Sequence, residues 1–340
     1  MNKSIAALAA AVIALYAGAV QAADKVSISA LRFVSSSPVF IAKERGYFTA
    51  ENIDLDIKFF NAAQPVTLAV ASGDADFGIT GLTGAFYNLA GSGVMKIVAS
   101  QSREEPGYKF SAYVASTKAF EGGLKKPADF KGRTIGNTTA GSTFHYMLGR
   151  LSEKHGFKLS DMSLRALQTI PNMTAALKGA QVDGIIITSN NALQLEAEGS
   201  GKIVGWVSDE TPWQLGALFA RTRLIEENRP LVERFIRAYL RGAQDYAAAY
   251  LQRDAQGNRV FGEAAEKLQP IMEAYVDPKP SFDTVKASAN YIDPEGRLMV
   301  DDIYNQVAWY KAEGLIKPET DAKSMLDLSF VKGHTGVPAN

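Results

Sequence analysis

The 340-residue chain contains no cysteine. No disulfide can therefore staple the fold, no thiolate can act as nucleophile or metal ligand, and a lipid-modified N-terminal cysteine is excluded. Histidine is nearly as scarce, at positions 145, 155 and 334 only, with no pair at the spacing by which one helix holds a metal. Neither a metal site nor a cofactor is expected. A Gly-x-Ser-x-Gly elbow, a Gly-x-x-x-x-Gly-Lys phosphate loop and a Gly-x-Gly-x-x-Gly fingerprint are all missing, which removes the usual supports for hydrolase, nucleotidase and dinucleotide chemistry. Charge of one sign is lacking too: 36 basic residues balance 36 acidic ones, and neither forms a long run. That excludes a nucleic-acid footprint and a polybasic membrane surface, and leaves a small molecule as the expected partner.

The one long uncharged run follows Lys3, from Ser4 to Val20, and ends in Val20-Gln21-Ala22. It falls short of the ~20 residues a span needs and closes on small residues, so it reads as a signal peptide, residues 1–22, cleaved after Ala22. An exported chain with no membrane anchor is expected. What remains exceeds the ~150 residues at which one core is the default, so two lobes are predicted.

Short apolar segments alternate with helical ones, the pattern of an α/β fold on largely parallel sheets. Strands are predicted at Val26–Leu31, Leu55–Phe60, Phe77–Ile79 and Lys96–Ser100. Ser37-Pro38 opens a helix that Gly46 closes, and Pro65 opens another that stops at Gly73. The grammar restarts after Lys131-Gly132-Arg133, with a strand at Thr134–Gly136 and a helix from Ser142 to His155. Gly73-Asp74-Ala75-Asp76-Phe77-Gly78-Ile79-Thr80 is echoed by Gly179 to Thr188 around Asp183, with the spacing from glycine to aspartate one residue longer, which suggests similar architecture in both lobes. After a strand at Gly216–Ala220 the chain is mainly helical, with long helices from Pro230 toward Tyr250, at Glu263–Tyr275 and at Met299–Glu313.

The run Pro38-Val39-Phe40-Ile41-Ala42-Lys43-Glu44-Arg45-Gly46-Tyr47-Phe48 with Glu51-Asn52-Ile53, then Ala71-Ser72-Gly73-Asp74-Ala75-Asp76-Phe77-Gly78, resembles periplasmic substrate-binding proteins of ABC transporters, of the sulfonate, taurine, nitrate and thiamine-pyrimidine-precursor type. Lys131 to Gly136, Gly141 to Tyr146 and Glu227-Asn228-Arg229-Pro230 extend the likeness over nearly the whole mature chain. The sequence departs from the pattern at Thr188-Ser189-Asn190-Asn191, where many relatives carry an aromatic residue and a proline. The resemblance implies a type II Venus-flytrap clamp, lobe 1 from 23–115 and 213–340 and lobe 2 from 116–212. It also implies a periplasmic monomer that hands its ligand to a permease and catalyses nothing. The eukaryotic pyrimidine synthases look similar in the opening motif, but their cysteine-rich motif has no counterpart here.

Ligands of open α/β sheets bind beyond the carboxyl ends of the strands. The turns there are Arg32–Ser37, Asn61–Gln64, Thr80–Thr83, Asn137–Thr143 and Thr188–Asn191, rich in hydroxyls, amides and glycine and free of carboxylates. The candidate ligand contacts are Phe33, Ser36, Gln64, Thr80, Thr138, Thr139, Ser142, Thr143, Thr188 and Trp213. In the Asn137–Thr143 turn the free N–H groups of a helix start suit a carboxylate, sulfonate or phosphate. Plain N-capping by Ser142 or Thr143 explains the same residues equally well, and the resemblance tips the reading toward ligand contact. Among the aromatic residues Phe33, Tyr108, Phe144 and Trp213, the last is placed at a lobe crossing, where an indole offers both a stacking face and a donor. His145 is expected to pack within its own helix, and Arg32 to add positive potential. An organic anion is therefore expected over a pyrimidine, whose amine would call for a carboxylate.

Overall fold

The computed structural model describes residues 22–336; the predicted signal peptide, but for Ala22, lies outside the described residues. Ten strands form two five-stranded sheets. The first holds β1 (Asp24–Leu31), β2 (Ile53–Phe60), β3 (Phe77–Gly81), β4 (Met95–Glu104) and β10 (Trp213–Arg221), in the order β2-β1-β3-β10-β4. The second holds β5 (Ser111–Ser116), β6 (Thr134–Asn137), β7 (Ser163–Ala166), β8 (Gly184–Thr188) and β9 (Gly201–Trp206), in the order β7-β6-β8-β5-β9. Each sheet has three parallel strands in its first three places and an antiparallel strand in the fourth, β10 or β5. Both have the architecture expected of an α/β clamp.

The crossings between sheets lie between Glu104 and Ser111 and between Glu210 and Trp213. The first boundary, set after residue 115, therefore moves ahead of Ser111, because β5 is hydrogen-bonded to β8 and β9 along its length. Nothing marked that strand in the sequence: Ser-Ala-Tyr-Val-Ala-Ser has small residues on both faces, and all six are buried.

The helices that matter for the site are α1 (Ser37–Glu44), α2 (Ala63–Ser72), α3 (Gly84–Gly91), α4 (Thr143–Lys154), α5 (Ile170–Lys178) and α6 (Ser189–Ala197). After the second crossing and the short helix Thr222–Glu227 come α7 (Arg229–Tyr250), α8 (Glu263–Tyr275), α9 (Phe282–Ser288) and α10 (Val300–Ala312). Helix α7 buries Phe235, Tyr239 and Tyr246 against the first sheet and α1, each worth roughly 1.5–3 kcal/mol of apolar burial. Phe235 stacks on Phe77 at 3.8 Å, and Tyr239 donates to the Ser100 carbonyl at 2.8 Å.

The other core is shared between lobes. It runs from Val66 and Tyr87 through Tyr146, Trp213, Trp309 and Tyr310 to Ile135 and Ile185. Helix α10 thus docks on α4, with Trp309 edge-on to Tyr146 at 5.1 Å. Three hydrogen bonds join the lobes around the cleft: Gly84 N to Gly141 O at 2.8 Å, Tyr310 OH to Ser142 O at 3.3 Å, and Ser189 Oγ to Ser288 O at 3.3 Å.

Candidate functional site

Between the lobes lies a cavity of about 520 Å³, within the ordinary range for a small-molecule site. The sheets explain its position. Leu31, Phe60, Thr80 and Gly81 end β1, β2 and β3, Thr188 ends β8, and all five line the wall where strands give way to helix starts. Phe33, Phe110, Phe144, Met147, Ile170 and Leu215 supply apolar surface; Gln64, Gln101, Thr138, Thr139, Ser142, Thr143 and Gln168 supply polar groups. Among the described residues, no aspartate, glutamate, lysine, arginine or histidine lines it.

Five helices direct their N-termini at this space: α2 through Ala63 and Gln64, α3 through its cap Thr83, α4 through Ser142 and Thr143, α5 through Thr169 and Ile170, and α6 through its cap Thr188. Thr83, Ser142 and Thr169 cap their own helices, accepting from Phe86 N at 3.1 Å, His145 N at 3.2 Å and Asn172 N at 3.3 Å. The N–H groups of Thr143 and Phe144 in the first turn of α4 have no carbonyl within the helix to reach. Helix α2 begins after Ala62, whose methyl side chain cannot cap, so the N–H groups of Ala63 and Gln64 are likewise open. The field in the cavity is therefore positive, though no cationic side chain enters it.

Of the candidate contacts, Phe33, Gln64, Thr80, Thr138, Thr139, Ser142, Thr143 and Thr188 all come to this one cavity. Thr80 is buried with its hydroxyl unpartnered. Thr188 is more occupied: its hydroxyl donates to Asn190 Oδ1 at 3.0 Å and accepts from Asn191 Nδ2 at 2.8 Å. Two candidates lie elsewhere. Ser36 is fully buried outside the lining, and its neighbour Ser35 takes the wall position. Trp213 is 2% exposed, tilted against Tyr146 at 4.7 Å, because β10 already begins at this residue and holds it in register opposite Glu104. It is a strut of the shared core behind the cavity.

Arg32 and Tyr108 are also outside the lining. Arg32 lays its guanidinium over Phe59 at 3.8 Å and donates to the Tyr275 carbonyl at 3.4 Å, beside a smaller recess of about 360 Å³ at the cleft mouth. His145 accepts from Gly141 N at 2.9 Å through Nδ1, and burial lowers its pKa. It fixes the Asn137–Thr143 turn as a neutral ring.

A family profile described as NMT1/THI5 like matches residues 34–250. The chain belongs to the NMT1/THI5-like family. A relative of this family member in Brucella abortus (strain 2308), provisionally named a binding protein, is 29% identical over 213 residues, 62% of each chain. The chain thus spans about three fifths of the length of the curated relatives it matches. The alkanesulfonate-binding protein of Xanthomonas axonopodis pv. citri, bound to MOPS, superposes with a TM-score of 0.69 at 20% identity, over 90% of this chain and 98% of that one. The periplasmic nitrate-binding protein of Synechocystis PCC 6803 gives 0.70 at 13% identity, over 89% and 84%. This NMT1/THI5-like chain therefore has the periplasmic-binding-protein fold, and these three relatives and neighbours are named as binding proteins. Among its described residues no helix is long and apolar enough to cross a membrane.

Proposed function

We propose that this NMT1/THI5-like protein is the periplasmic solute-binding component of an ABC importer, that it captures a small organic anion of the sulfonate or aromatic carboxylate type between its lobes, and that it catalyses no reaction. One observation carries the reading: five helix N-termini converge on a cavity whose wall has no carboxylate to repel an anion. Oriented N–H groups hold a delocalised charge such as a sulfonate without a buried counter-ion, whose desolvation would be costly. The apolar wall from Phe33 to Leu215 suits an aliphatic or aromatic body. The neighbours named for alkanesulfonate and nitrate support the same ligand charge.

An amine-bearing pyrimidine meets no acidic partner on this wall, and pyrimidine synthesis of the related type lacks both its cysteines and a lysine in the cavity. The test is a thermal-shift panel of sulfonates, aromatic carboxylates, nitrate, amino acids and pyrimidines on the chain from Ala23 onward. A ligand at one hundred times its Kd adds about 2.7 kcal/mol. Stabilisation by an organic anion is expected; stabilisation by pyrimidines alone would overturn the assignment.

A further inference from the structure

Where β10 meets β4 the ladder is irregular. Gly216 pairs with Ser102 and Ala217 with Ser100, so Gln101 is an extra residue on β4 with no partner of its own. A β-bulge of this kind re-aims a side chain, and here it turns Gln101 into the cavity wall at 2% exposure. The opposite residue must be glycine. A Cβ at position 216 would overlap Gln101 Oε1 and stand 2.9 Å from the Thr80 carbonyl.

The carboxamide has one weak tie, Nε2 to Ser35 Oγ at 3.4 Å, while Oε1 has no partner. Its neighbour on the same wall, Thr80 Oγ1, is also buried and unpartnered. Leaving such groups unpaired costs their full desolvation, a cost that a bound partner relieves. A structural glutamine would be tied to the backbone, as Gln214 is through Ser102 O and Gly216 O at 3.2 and 2.8 Å.

We infer that Gln101 is a specificity-determining residue, and that the ligand carries an uncharged hydrogen-bond donor, a hydroxyl or amide N–H, close to its anionic head. This rests on the anion reading for the head alone. Gly81 faces both, pairing with Gly216 in the sheet and lying against the Thr143 methyl, so head and donor are near neighbours on the ligand. An ammonium is disfavoured as the donor, since no carboxylate lines the site.

The experiment compares matched compounds by calorimetry: mandelate against phenylacetate, 2-hydroxyethanesulfonate against ethanesulfonate, and the uncharged phenylacetamide against methyl phenylacetate. The wild-type chain should favour a donor-bearing member by about tenfold or more. Gln101→Met should bring the two members within about threefold by weakening the donor-bearing one, since only that member uses the lost carboxamide. Equal binding by the wild type, or a preference that survives in Gln101→Met, overturns the inference. Discrimination confined to the uncharged pair would remove the anion reading and leave Gln101 in its role. Ligand-free melting is a separate measure: relieved of an unpaired carboxamide, Gln101→Met should melt about 2 °C higher. A lower midpoint would make Gln101 structural and end the proposal even if none of the compounds binds.

Discussion

Asp76 and Asp183 clasp equivalent strands in the two lobes by the same pair of hydrogen bonds. Asp76 Oδ2 accepts from Ser27 N at 2.9 Å and Asp76 N donates to Ser27 O at 3.0 Å; Asp183 Oδ2 accepts from Thr134 N at 2.9 Å and Asp183 N donates to Thr134 O at 2.8 Å. Each aspartate thus ties the start of the strand in third place, β3 or β8, to the parallel strand beside it, at Ser27 of β1 or Thr134 of β6. Asp183→Ala should cost about 1–2 kcal/mol, because a partly buried N–H loses its acceptor. Asp76→Ala should cost about 1 kcal/mol more, since Asp76 also accepts from Ser27 Oγ and pairs with Arg221. Urea unfolding of both variants checks the order; equal or negligible losses would refute it.

The echo between Gly73–Thr80 and Gly179–Thr188, offset by one residue, has a backbone explanation. The left-handed residue that ends α2 is Gly73 at φ 87°, whereas after α5 it is Ala180 at φ 48° and Gly179 is ordinary. Aligned on that residue, the spacing to the aspartate is the same in both lobes. Ala180→Gly should therefore stabilise by about 0.5–1 kcal/mol and Gly73→Ala should cost about 1 kcal/mol. Thermal melts in which both substitutions change stability in the same direction would contradict this.

Glu104, at the first crossing, is buried with only Ser111 near enough to favour its charged form, and burial outweighs that and raises its pKa to about 8. The unfolded value is about 4.3, so between these pH values the folded chain binds the extra proton. The contribution of this group is complete below pH ~4.3 and is lost as pH rises through 8, by up to about 5 kcal/mol. Glu104→Gln should remove that slope and be the more stable chain at pH 8. Denaturation of both chains at pH 5, 6.5 and 8 checks the sign; parallel profiles would leave Glu104 without a role in pH dependence.

At the proposed anion seat, Ser142 is the cap of α4 and spends its own N–H on Thr139 O at 3.2 Å, while Thr143 is the first helical residue. Thr143→Pro therefore removes a cavity-facing N–H where proline is tolerated, after an extended Ser142. The ligand-free midpoint should move little and the anion-induced thermal shift should be lost. A shift that persists would place the head group elsewhere.

The layout was legible in the sequence where glycine, proline and aspartate punctuate apolar runs. Pro65, Gly73 and Asp76 announce a helix, its stop and a strand, and every polar candidate at a strand end or helix start except Ser36 and Arg32 came to the cavity. Strand β7, Ser-Leu-Arg-Ala, was invisible because its largely exposed edge carries no apolar pattern. Thr169 and Pro171 mark the start of α5 by the same cap-and-proline signal read elsewhere, and would have pointed to that wall. Gln101 had no such signal: only the mismatch between β4 and β10, set by residues more than one hundred positions apart, turns it inward. Trp213 shows the converse, a residue whose chemistry suited a ligand but whose strand register gave it to the core.

The strand order also sets an order of assembly. Lobe 2 is one uninterrupted stretch, with every strand from β5 to β9 between Ser111 and Trp206, and can complete its sheet from its own sequence. Lobe 1 cannot. Among the described residues β4 is paired along its length with β10 and bridged singly to Tyr291 and Leu326, all at or beyond Trp213, so β4 has no hydrogen-bonded strand neighbour until that part of the chain has emerged and β10 has slotted in beside β3. Any product truncated before that point leaves one edge of β3 and both edges of β4 unpaired, a template for aggregation, which makes the last strand the closing piece of the first lobe.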